Sequence, residues 1–429
     1  MTTGQDTTEK RPAPENAVTL HDPDVYVEGV PHEFFTWLRP NRPVYWQSEE
    51  GGTGYWAVTR HADVVTVSRD SATFSSAVGT SQIQDFDEET RQKQAAMLLN
   101  LDPPDHTRQR LLVSRGFTPR IIGRMEANIR RICEDIVDRA VEAGEVDFVE
   151  SVAAPLPLSV IAALLGVPEE DTGKLFDWSN RMIGFEDPDF GTTEADGEMA
   201  AAEIFLYANE LAEQRRKDPQ DDIITALIQP DDDGHVLSEM EFNMFFILLV
   251  IAGNETTRNS ATGGMLALIE HPDQWDRLRA DPSLARTAVD EVLRWVSPVM
   301  DFRRTATRDC IIGDQPVASG DKIVMFYPSA NRDEDVFADP FTFDIGRKDN
   351  DHAAFGGGGA HYCLGTHLAR LELRVLFETL ARRVDSVEPI GPTRRLRSNF
   401  INGVKEMRVR LHPAAGGGKS SEQDGGTEP

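Results

Sequence analysis

The sequence predicts one large, mainly α-helical domain with small β-sheets at one side. Three observations predict this fold class: helical periodicity dominates residues 103–295, an unusually long helix lies within that stretch, and short β-rich segments follow it. Between low-complexity segments at residues 1–17 and 413–429 there is no repeat and no linker-like break. Residues 18–412 are therefore expected to fold as one domain, flanked by two disordered tails.

The composition is that of a globular protein from a reducing compartment. The 429 residues are 40% hydrophobic and 27% charged, which allows a large core. The three cysteines, Cys133, Cys310 and Cys363, have no motif spacing and argue against a disulfide framework. The N-terminus lacks the apolar region of a signal peptide, and the longest apolar run, residues 244–252, is too short to span a bilayer. A cytoplasmic protein without a membrane span is expected.

The net charge of −28 restricts the range of partners. Such a charge repels phosphate backbones, so nucleic-acid binding is not expected. It also repels acidic proteins unless basic residues gather on one face of the molecule. No amphipathic apolar stripe is left over for an interface, so a monomer is expected.

The β-strands are expected in two places. Residues 44–46 and 54–59 alternate apolar and polar side chains, as the strands of a small hairpin do. Residues 303–312 and 322–327 form the β-rich stretch that follows the helical part of the chain.

The long helix begins at a recognisable signal. Ser238 and Glu241 form a capping box, and no proline follows until after Ile269. The helix is therefore roughly 30 residues, or about 45 Å, long. Its first half is apolar nearly all round, which predicts that it runs through the core.

The middle of this helix carries small and polar residues. Ala252 and Gly253 leave room for a flat group to approach. Glu255 and Thr256 follow within apolar sequence, where a buried acid is costly unless it is partnered or functional. Their chemical use would be proton delivery, with Thr256 hydrogen-bonding a bound oxygen species and Glu255 relaying protons. The alternative is a helix kink with a solvated glutamate.

A glycine-rich loop, residues 355–365, carries the most informative cysteine. Cys363 is predicted at the first turn of a helix whose apolar stripe follows it. Free N–H groups and the helix dipole at that position favour the thiolate, which suits an axial ligand of a haem iron. The alternative is a small buried hydrophobic residue beside a flexible loop.

Two pairs of charged residues have helical spacing. Glu291 and Arg294 are three residues apart and share a helix face, and so do His106 and Arg110, four residues apart. Taken alone, such pairs are typical of solvated surfaces.

In their order along the chain, these motifs resemble the cytochrome P450 family of haem-thiolate monooxygenases over residues 20–412. The resemblance rests on His106 with Arg110, the run from Ala252 to Thr257, Glu291 with Arg294, Arg304 followed by Asp309, and the Cys363 loop. The family's fold, with its long central helix over the haem, is therefore expected. Its cofactor, haem b, is expected with it.

The resemblance implies a role for each of these residues. Cys363 would be the iron ligand, and Glu255 and Thr256 would deliver protons. Glu291 and Arg294 would be structural. The two haem propionates would be bound by His106, Arg110, Arg304 and His361. Two further residues, Ala252 and Phe355, are also expected to contact the cofactor.

The chain departs from the family pattern at two positions. Phe355 lies eight residues before Cys363, where the family usually has seven, because of an extra glycine. Thr342 stands where the family often has an arginine that completes a Glu–Arg–Arg network. Arg347 is a candidate replacement, and the sequence leaves that open.

The extra glycine, together with residues 252–259, 329–333, 359–363 and 177–184, also resembles an actinobacterial subgroup that oxidises cholesterol side chains and methyl-branched lipids at a terminal carbon. The pocket is expected to be lined by residues 75–100, 176–205, 245–256 and 296–302 with Ile401, and the first two stretches are expected to be mobile lids. Its candidate wall residues are apolar: Met97, Leu98, Val250, Val299 and Ile401.

Electrons are expected from outside, because no flavin or nicotinamide fingerprint follows a strand. The resemblance implies a ferredoxin and a ferredoxin reductase, for which this acidic chain needs a basic patch. Its candidates are Arg108, Arg115, Arg120, Arg370 and Arg374.

The expected reaction is insertion of one atom of O2 into a C–H bond of a hydrophobic molecule, namely a sterol side chain, a methyl-branched lipid or a terpenoid. The alternatives are a tailoring hydroxylase of secondary metabolites, a peroxide-driven peroxygenase and a non-catalytic haem sensor. The Glu255–Thr256 pair argues against the last two.

Overall fold

The computed structural model describes residues 14, 16–85, 87–183, 187–231 and 233–415. Most of the two predicted tails lies outside these residues, as do residues 86 and 184–186 of the two predicted lids.

Helices make up most of the described chain. The α-helices are α1 (His32–Asn41), α2 (His61–Arg69), α3 (Glu88–Gln94), α4 (Asp105–Ser114), α5 (Pro119–Ala143), α6 (Pro155–Leu165), α7 (Thr172–Ile183), α8 (Glu194–Lys217), α9 (Ile223–Ile228), α10 (Glu239–Glu270), α11 (Pro272–Ala280), α12 (Ala285–Val296), α13 (Tyr327–Ala330) and α14 (Thr366–Arg383). Short 3-10 helices lie at Pro23–Tyr26, Leu98–Asn100, Arg115–Phe117, Glu169–Asp171, Pro188–Phe190 and Pro282–Leu284, and a π-helix lies at Val149–Ala153.

The strands form small sheets, the largest of which has the order β1-β2-β8-β5-β3. In that sheet β2 and β8 are parallel and the other pairs are antiparallel, including the predicted hairpin of β1 and β2. The remaining sheets are β4-β12-β9, β10-β11 and β6-β7. The strands are β1 (Val44–Gln47), β2 (Tyr55–Val58), β3 (Phe74–Ser75), β4 (Glu145–Asp147), β5 (Asp301–Ala306), β6 (Cys310–Ile312), β7 (Gln315–Val317), β8 (Lys322–Phe326), β9 (Val384–Pro389), β10 (Arg394–Arg395), β11 (Val404–Glu406) and β12 (Arg408–Pro413).

Helix α10 is the predicted long central helix and begins at the predicted cap. Ser238 accepts a hydrogen bond from the Glu241 N–H, and the Glu241 carboxylate accepts one from the Ser238 N–H at 2.8 Å. The helix packs against α6, α8, α12 and α14. Gly253 permits the contact with α6, because a Cβ there would lie 2.6 Å from Ile161 Cδ1. The glycine that the sequence assigned to a flat ligand therefore also serves helix packing.

The Glu291–Arg294 pair is a structural element of the core. Both side chains are fully buried, and Arg294 donates to both carboxylate oxygens of Glu291 at 2.8 Å. Arg294 also donates to the carbonyls of Asn331 and Pro340. Arg347 completes the network by donating to Glu291 Oε2 at 3.0 Å.

Arg347 therefore takes the place of the arginine that is missing at position 342. Its guanidinium also bonds the carbonyls of Ala338, Asp339 and Thr342. The sequence left open which residue completes the network. Arg347, five positions after Thr342, does so by donating to the Glu291 carboxylate.

The fold class predicted from the sequence is confirmed, with a mainly helical body and small sheets. Over the described residues, none of the helices combines the length and the apolar character that crossing a bilayer requires.

Candidate active site

Cys363 lies at the end of a tightly constrained loop. Its N–H donates to the Phe355 carbonyl at 3.0 Å, which closes the loop across the glycines. Gly359 has a φ of +79°, and a Cβ there would lie 2.5 Å from the Ser68 carbonyl oxygen. Glycine is therefore required by both conformation and space. The loop rests on α2, where the Ser68 hydroxyl donates to the Gly358 carbonyl at 2.9 Å.

The predicted position of Cys363 within a helix was wrong. Helix α14 begins at Thr366, so Cys363 lies in the turn before it. The Thr366 hydroxyl and the backbone N–H of Gly365 nevertheless approach the sulfur, as an N-terminal position would require. The apolar stripe of the helix is as predicted, since Leu368, Leu371 and Val375 are buried.

The surroundings of Cys363 act on its thiol in opposite directions. Burial raises the pKa of the Cys363 thiol, while Gly365, Thr366, Arg110 and Arg370 lower it. The net direction for the free thiol is upward, because burial is the largest effect. Cys363 is exposed by its accessible surface and lines the cavity.

Phe355 keeps its predicted place beside the cysteine in spite of the extra glycine. The phenylalanine is 8% exposed and lines the cavity. The Arg370 guanidinium lies 4.7 Å from the centre of its ring. Between Phe355 and Cys363 the backbone turns at Gly356, Gly358 and Gly359, all of which have positive φ.

Four basic side chains meet at one side of the cavity, as predicted. His106, Arg110, Arg304 and His361 all line it. The two imidazole rings lie 4.2 Å apart. Arg110 donates to the Tyr362 carbonyl at 2.6 Å, and Arg304 donates to the Arg303 carbonyl at 2.7 Å.

These basic groups repel one another. Burial, followed by the charge of Arg110, lowers the pKa of His106 to about 4. Burial, followed by the charges of Arg304, His106 and Arg110, lowers the pKa of His361 to about 2. His106 Nε2 is buried without a hydrogen-bond partner among the described residues. An anion in this part of the cavity would satisfy that nitrogen and relieve the repulsion.

One face of α10 forms the opposite wall. Ala252, Gly253, Thr256, Thr257 and Ser260 line the cavity there. The Thr256 hydroxyl donates to the Ala252 carbonyl at 2.7 Å, which fixes its position toward the cavity. The predicted small residue and the predicted hydroxyl therefore share one surface.

Glu255 lies behind that wall rather than in it. The residue is 3% exposed, and its carboxylate accepts hydrogen bonds from Arg258 at 2.5 Å and from Asn259 at 3.2 Å. Burial raises the pKa of Glu255, although Arg258 and Asn259 lower it. The carboxyl group of Glu255 is therefore held by Arg258 and Asn259, and Glu255 is absent from the described lining of the cavity.

The apolar wall agrees with the predicted pocket only in part. Leu98 and Val299 line the cavity, whereas Met97, Val250 and Ile401 are absent from its described lining. Val250 faces the core, and Ile401 pairs with Val299 in a β-bridge. Residues 176–205 contribute no described lining residue. Apolar wall residues within the predicted stretches are Leu99, Phe245, Leu248, Leu249 and Phe302, whereas Phe117 and Ile161 lie outside them.

The sequence also missed polar residues of the cavity region. Ser76 Oγ lies 3.1 Å from His361 Nε2, and Asp102 accepts the Ser76 N–H at 2.8 Å. Tyr327 and Glu372 line the cavity itself. None of these residues belongs to a spaced motif, so only their positions in the fold identify them.

Comparisons with known proteins agree with this geometry. A sequence profile of the cytochrome P450 family matches residues 12–389. The steroid C26-monooxygenase of Rhodococcus jostii is 45% identical over 423 residues, covering 96% of this chain and 89% of that protein. The linalool 8-monooxygenase of Pseudomonas putida is 41% identical, and the matched region covers 92% of this chain and 98% of that protein. A methyl-branched lipid omega-hydroxylase of Mycobacterium tuberculosis is 43% identical, and the matched region covers 87% of this chain and 90% of that protein.

Solved structures give the same result. A Mycobacterium marinum cytochrome P450 in complex with pseudoionone superposes with a TM-score of 0.85 at 35% identity, covering 94% of this chain and 100% of that one. Similarity over nearly the whole chain, together with the cysteine loop, the basic cluster and the central helix, leads to one conclusion. The chain is a cytochrome P450 monooxygenase.

Proposed function

We propose that this enzyme hydroxylates the alkyl part of a sterol side chain or of a methyl-branched lipid, with electrons from an external ferredoxin. The observation that carries the proposal is one cavity in which Cys363, the basic cluster and Thr256 face an apolar wall. Relatives that act on steroids and methyl-branched lipids at 43–45% identity favour these substrate classes. A terpenoid is the second candidate, favoured by the linalool 8-monooxygenase.

Haem b fits the residues present. The empty space of the cavity, including its opening to solvent, is about 1470 Å³. Cys363 would ligate the iron, and His106, Arg110, Arg304 and His361 would bind the propionates, which supply the anionic partner that His106 Nε2 lacks. Ala252 and Phe355 would contact the macrocycle. The bound haem supplies activation of O2, and a thiolate ligand favours O–O cleavage.

The chain's own residues position the substrate and protons. The apolar wall of Leu98, Leu248, Val299 and Phe302 would hold the substrate and exclude water. Thr256 would present its hydroxyl at the cavity surface. Glu255 would hold a proton behind α10 and pass it toward Thr256 after its carboxyl leaves Arg258 and Asn259.

Replacing Thr256 with alanine is expected to uncouple electron consumption from product formation. A positioned proton donor contributes about 10²–10⁴-fold to a proton transfer, so product per electron pair should fall several-fold while reduced cofactor is still consumed. The measurement is the ratio of product formed to NADPH oxidised. Thr256→Ser keeps the hydroxyl and should retain the coupling, and full coupling in Thr256→Ala would refute the assigned role.

The predicted basic patch is smaller than the sequence suggests. Arg370 pairs with Asp290 at 2.8 Å, and Arg374 pairs with Glu126 at 2.9 Å, so both are tied into the fold. Arg108 pairs with Glu241. The candidates that remain most available to a ferredoxin are Arg115 and Arg120. Arg115 Nη2 lies 3.8 Å from Asp231 Oδ2, which is a long ion-pair distance, and Arg120 is exposed.

Reversing both charges, in Arg115→Glu/Arg120→Glu, is expected to slow reduction by ferredoxin about tenfold at low salt, since electrostatic steering contributes 10–10³-fold to such encounters. The salt dependence of the rate should weaken as well. Stopped-flow reduction over a range of salt concentrations measures both. The double variant Arg131→Glu/Arg216→Glu changes the net charge equally at other exposed sites, and an equal effect there would contradict a local docking patch.

We propose further that the enzyme works as a monomer in the cytoplasm. The absence of a disulfide framework from the sequence supports the compartment, and the lack of a spare amphipathic stripe supports the monomer. Size-exclusion chromatography with light scattering tests the oligomeric state.

The proposed activity is tested by reconstitution with a bacterial ferredoxin and its reductase under isotopically labelled O2. A sterol with an intact side chain, a methyl-branched fatty acid and a monoterpene alcohol serve as substrates. The proposal expects one labelled oxygen atom in a side-chain alcohol of one of the first two. Turnover of the terpene alone would favour the second candidate. The absence of labelled product from a reduced, haem-loaded enzyme would contradict both.

A further inference from the structure

Glu372 is a buried acid of the cavity for which the proposed reaction gives no role. It lies on α14 and is 2% exposed. Its Oε2 atom is enclosed and has no hydrogen-bond partner among the described residues. The side chain nevertheless lines the same cavity as Cys363. A buried carboxyl group with an unpartnered oxygen therefore belongs to the wall of the space assigned to the cofactor.

The surroundings of Glu372 favour the uncharged acid. The neighbours on its own helix that line the cavity are apolar, Leu368 and Ala369. Cys133 of α5 is fully buried and lies close to Glu372. Burial raises the pKa of Glu372 well above its usual value, and no cation offsets that effect. An ionised carboxylate there would lack both solvent and a counter-charge.

Among the described residues, no basic side chain of α14 or of the helices packed against it forms an ion pair with Glu372. Arg130 of α5, Arg258 of α10, Arg277 and Arg279 of α11, and Arg370 and Arg374 of α14 itself bind carboxylates of Glu126, Glu255, Asp344, Asp385, Asp290 and Glu378. On α12, Asp290 is also bonded by His352, and Glu291 is bonded by Arg294. Asp385 of β9 is paired as well.

Glu378, on the same helix, is a useful contrast to Glu372. Its carboxylate accepts hydrogen bonds from Arg130 at 3.1 Å and from Arg374 at 3.3 Å. The fold therefore supplies cations to one buried acid of α14 and not to the other. A buried acid without a partner lowers stability, and such groups are typical of sites where a ligand completes the environment.

We propose that Glu372 is a neutral carboxylic acid that hydrogen-bonds into the cofactor cavity and senses the charge on the haem. This inference rests on the proposed haem-thiolate site. As an acid it donates one O–H bond to a water molecule or acceptor in the cavity, which a carboxylate cannot do. With haem bound in the cavity, a change in the charge it carries would change the strength of the O–H···acceptor bond of Glu372. Glu372 is thus a positioning residue that keeps a second negative charge away from the thiolate.

The test is a ferrous-minus-ferric infrared difference spectrum of the holoenzyme, which detects the C=O stretch of a protonated carboxyl group. Wild type is expected to show a carboxylic-acid band that shifts on reduction. Glu372→Gln should lose that band and retain any propionic-acid signal, and Glu378→Gln should keep it. A wild-type spectrum without a shifting acid band, or the same band in Glu372→Gln, would overturn the inference.

Two further measurements distinguish a failure of the haem-thiolate assignment from a failure of the inference about Glu372. The absorption spectrum of each holoenzyme reports thiolate ligation, so loss of that spectrum in wild type would mean that the haem-thiolate assignment has failed. If Glu372→Gln does not take up haem, Glu372→Asp replaces it, because a shorter acid should move the frequency of the band. An unmoved band in Glu372→Asp would overturn the inference.

Discussion

Replacing Cys363 with serine is expected to abolish the thiolate signature of the ferrous carbon monoxide complex and to reduce hydroxylation to background. The Cys363 sulfur is the soft donor that the loop presents to the cavity. A serine hydroxyl is a far weaker ligand and donates little electron density to iron. The visible absorption spectrum of the reduced complex and product formation measure the two effects.

Cys310→Ser provides the control for this substitution. Cys310 lies on strand β6, is partly exposed and does not line the cavity within the described chain. This variant should keep both the spectrum and the activity. A thiolate-type spectrum that survives in Cys363→Ser would show that another group ligates the iron.

Replacing Arg294 with leucine is expected to destabilise the apoprotein by about 3–5 kcal/mol, the range for breaking a buried ion pair by removing one partner. Arg294 and Glu291 are both fully buried. Glu291 would keep only its bonds from the neighbouring Arg347, Asn350 and Asp344 N–H, while the carbonyls of Asn331 and Pro340 would lose a donor. Chemical denaturation of the apoprotein measures the change.

Arg131→Leu is the matched control for that substitution. Arg131 pairs with Asp135 at 3.1 Å, but both side chains are more than half exposed, so the pair is expected to contribute little. Haem content after expression gives a second readout, because the segment that Arg294 anchors precedes the cysteine loop. Equal stability of Arg294→Leu and wild type would contradict the structural role of the network.

The features that the sequence could predict are those encoded over a few neighbouring residues. The Ser238–Glu241 cap, the β1–β2 hairpin and the helical spacing of Glu291 and Arg294 depend on local geometry alone. The resemblance to one family added the ligand loop and the basic cluster, because their order along the chain is specific. The fold class follows from these elements together.

The features that the sequence could not predict depend on distances across the fold. Arg347 reaches Glu291 from 56 positions away, so no local spacing reveals the pair. Val250 and Leu249 are adjacent and both apolar, yet only Leu249 lines the cavity, because the packing of α10 decides which face is turned inward. Glu372 has no motif at all, and only its burial without a partner distinguishes it.

The orientation of the Glu255 carboxyl group is another feature that the sequence could not predict. The presence of Glu255 in the middle of a buried helix indicated function, but the direction of its carboxyl depends on Arg258 and Asn259 one turn further along. Helical periodicity places the Cβ atom and leaves the side-chain rotamer undetermined.

The most direct test of the central claim is an optical titration of the ferric protein with a sterol, a methyl-branched fatty acid and a cyclic terpenoid. A substrate that displaces water from the iron shifts the Soret band toward the high-spin form. A saturable shift is expected with the sterol or the branched lipid, because most of the residues that share the cavity with Cys363 are apolar. A haem-loaded protein whose spectrum responds to none of the three would contradict a hydrophobic substrate site over the haem.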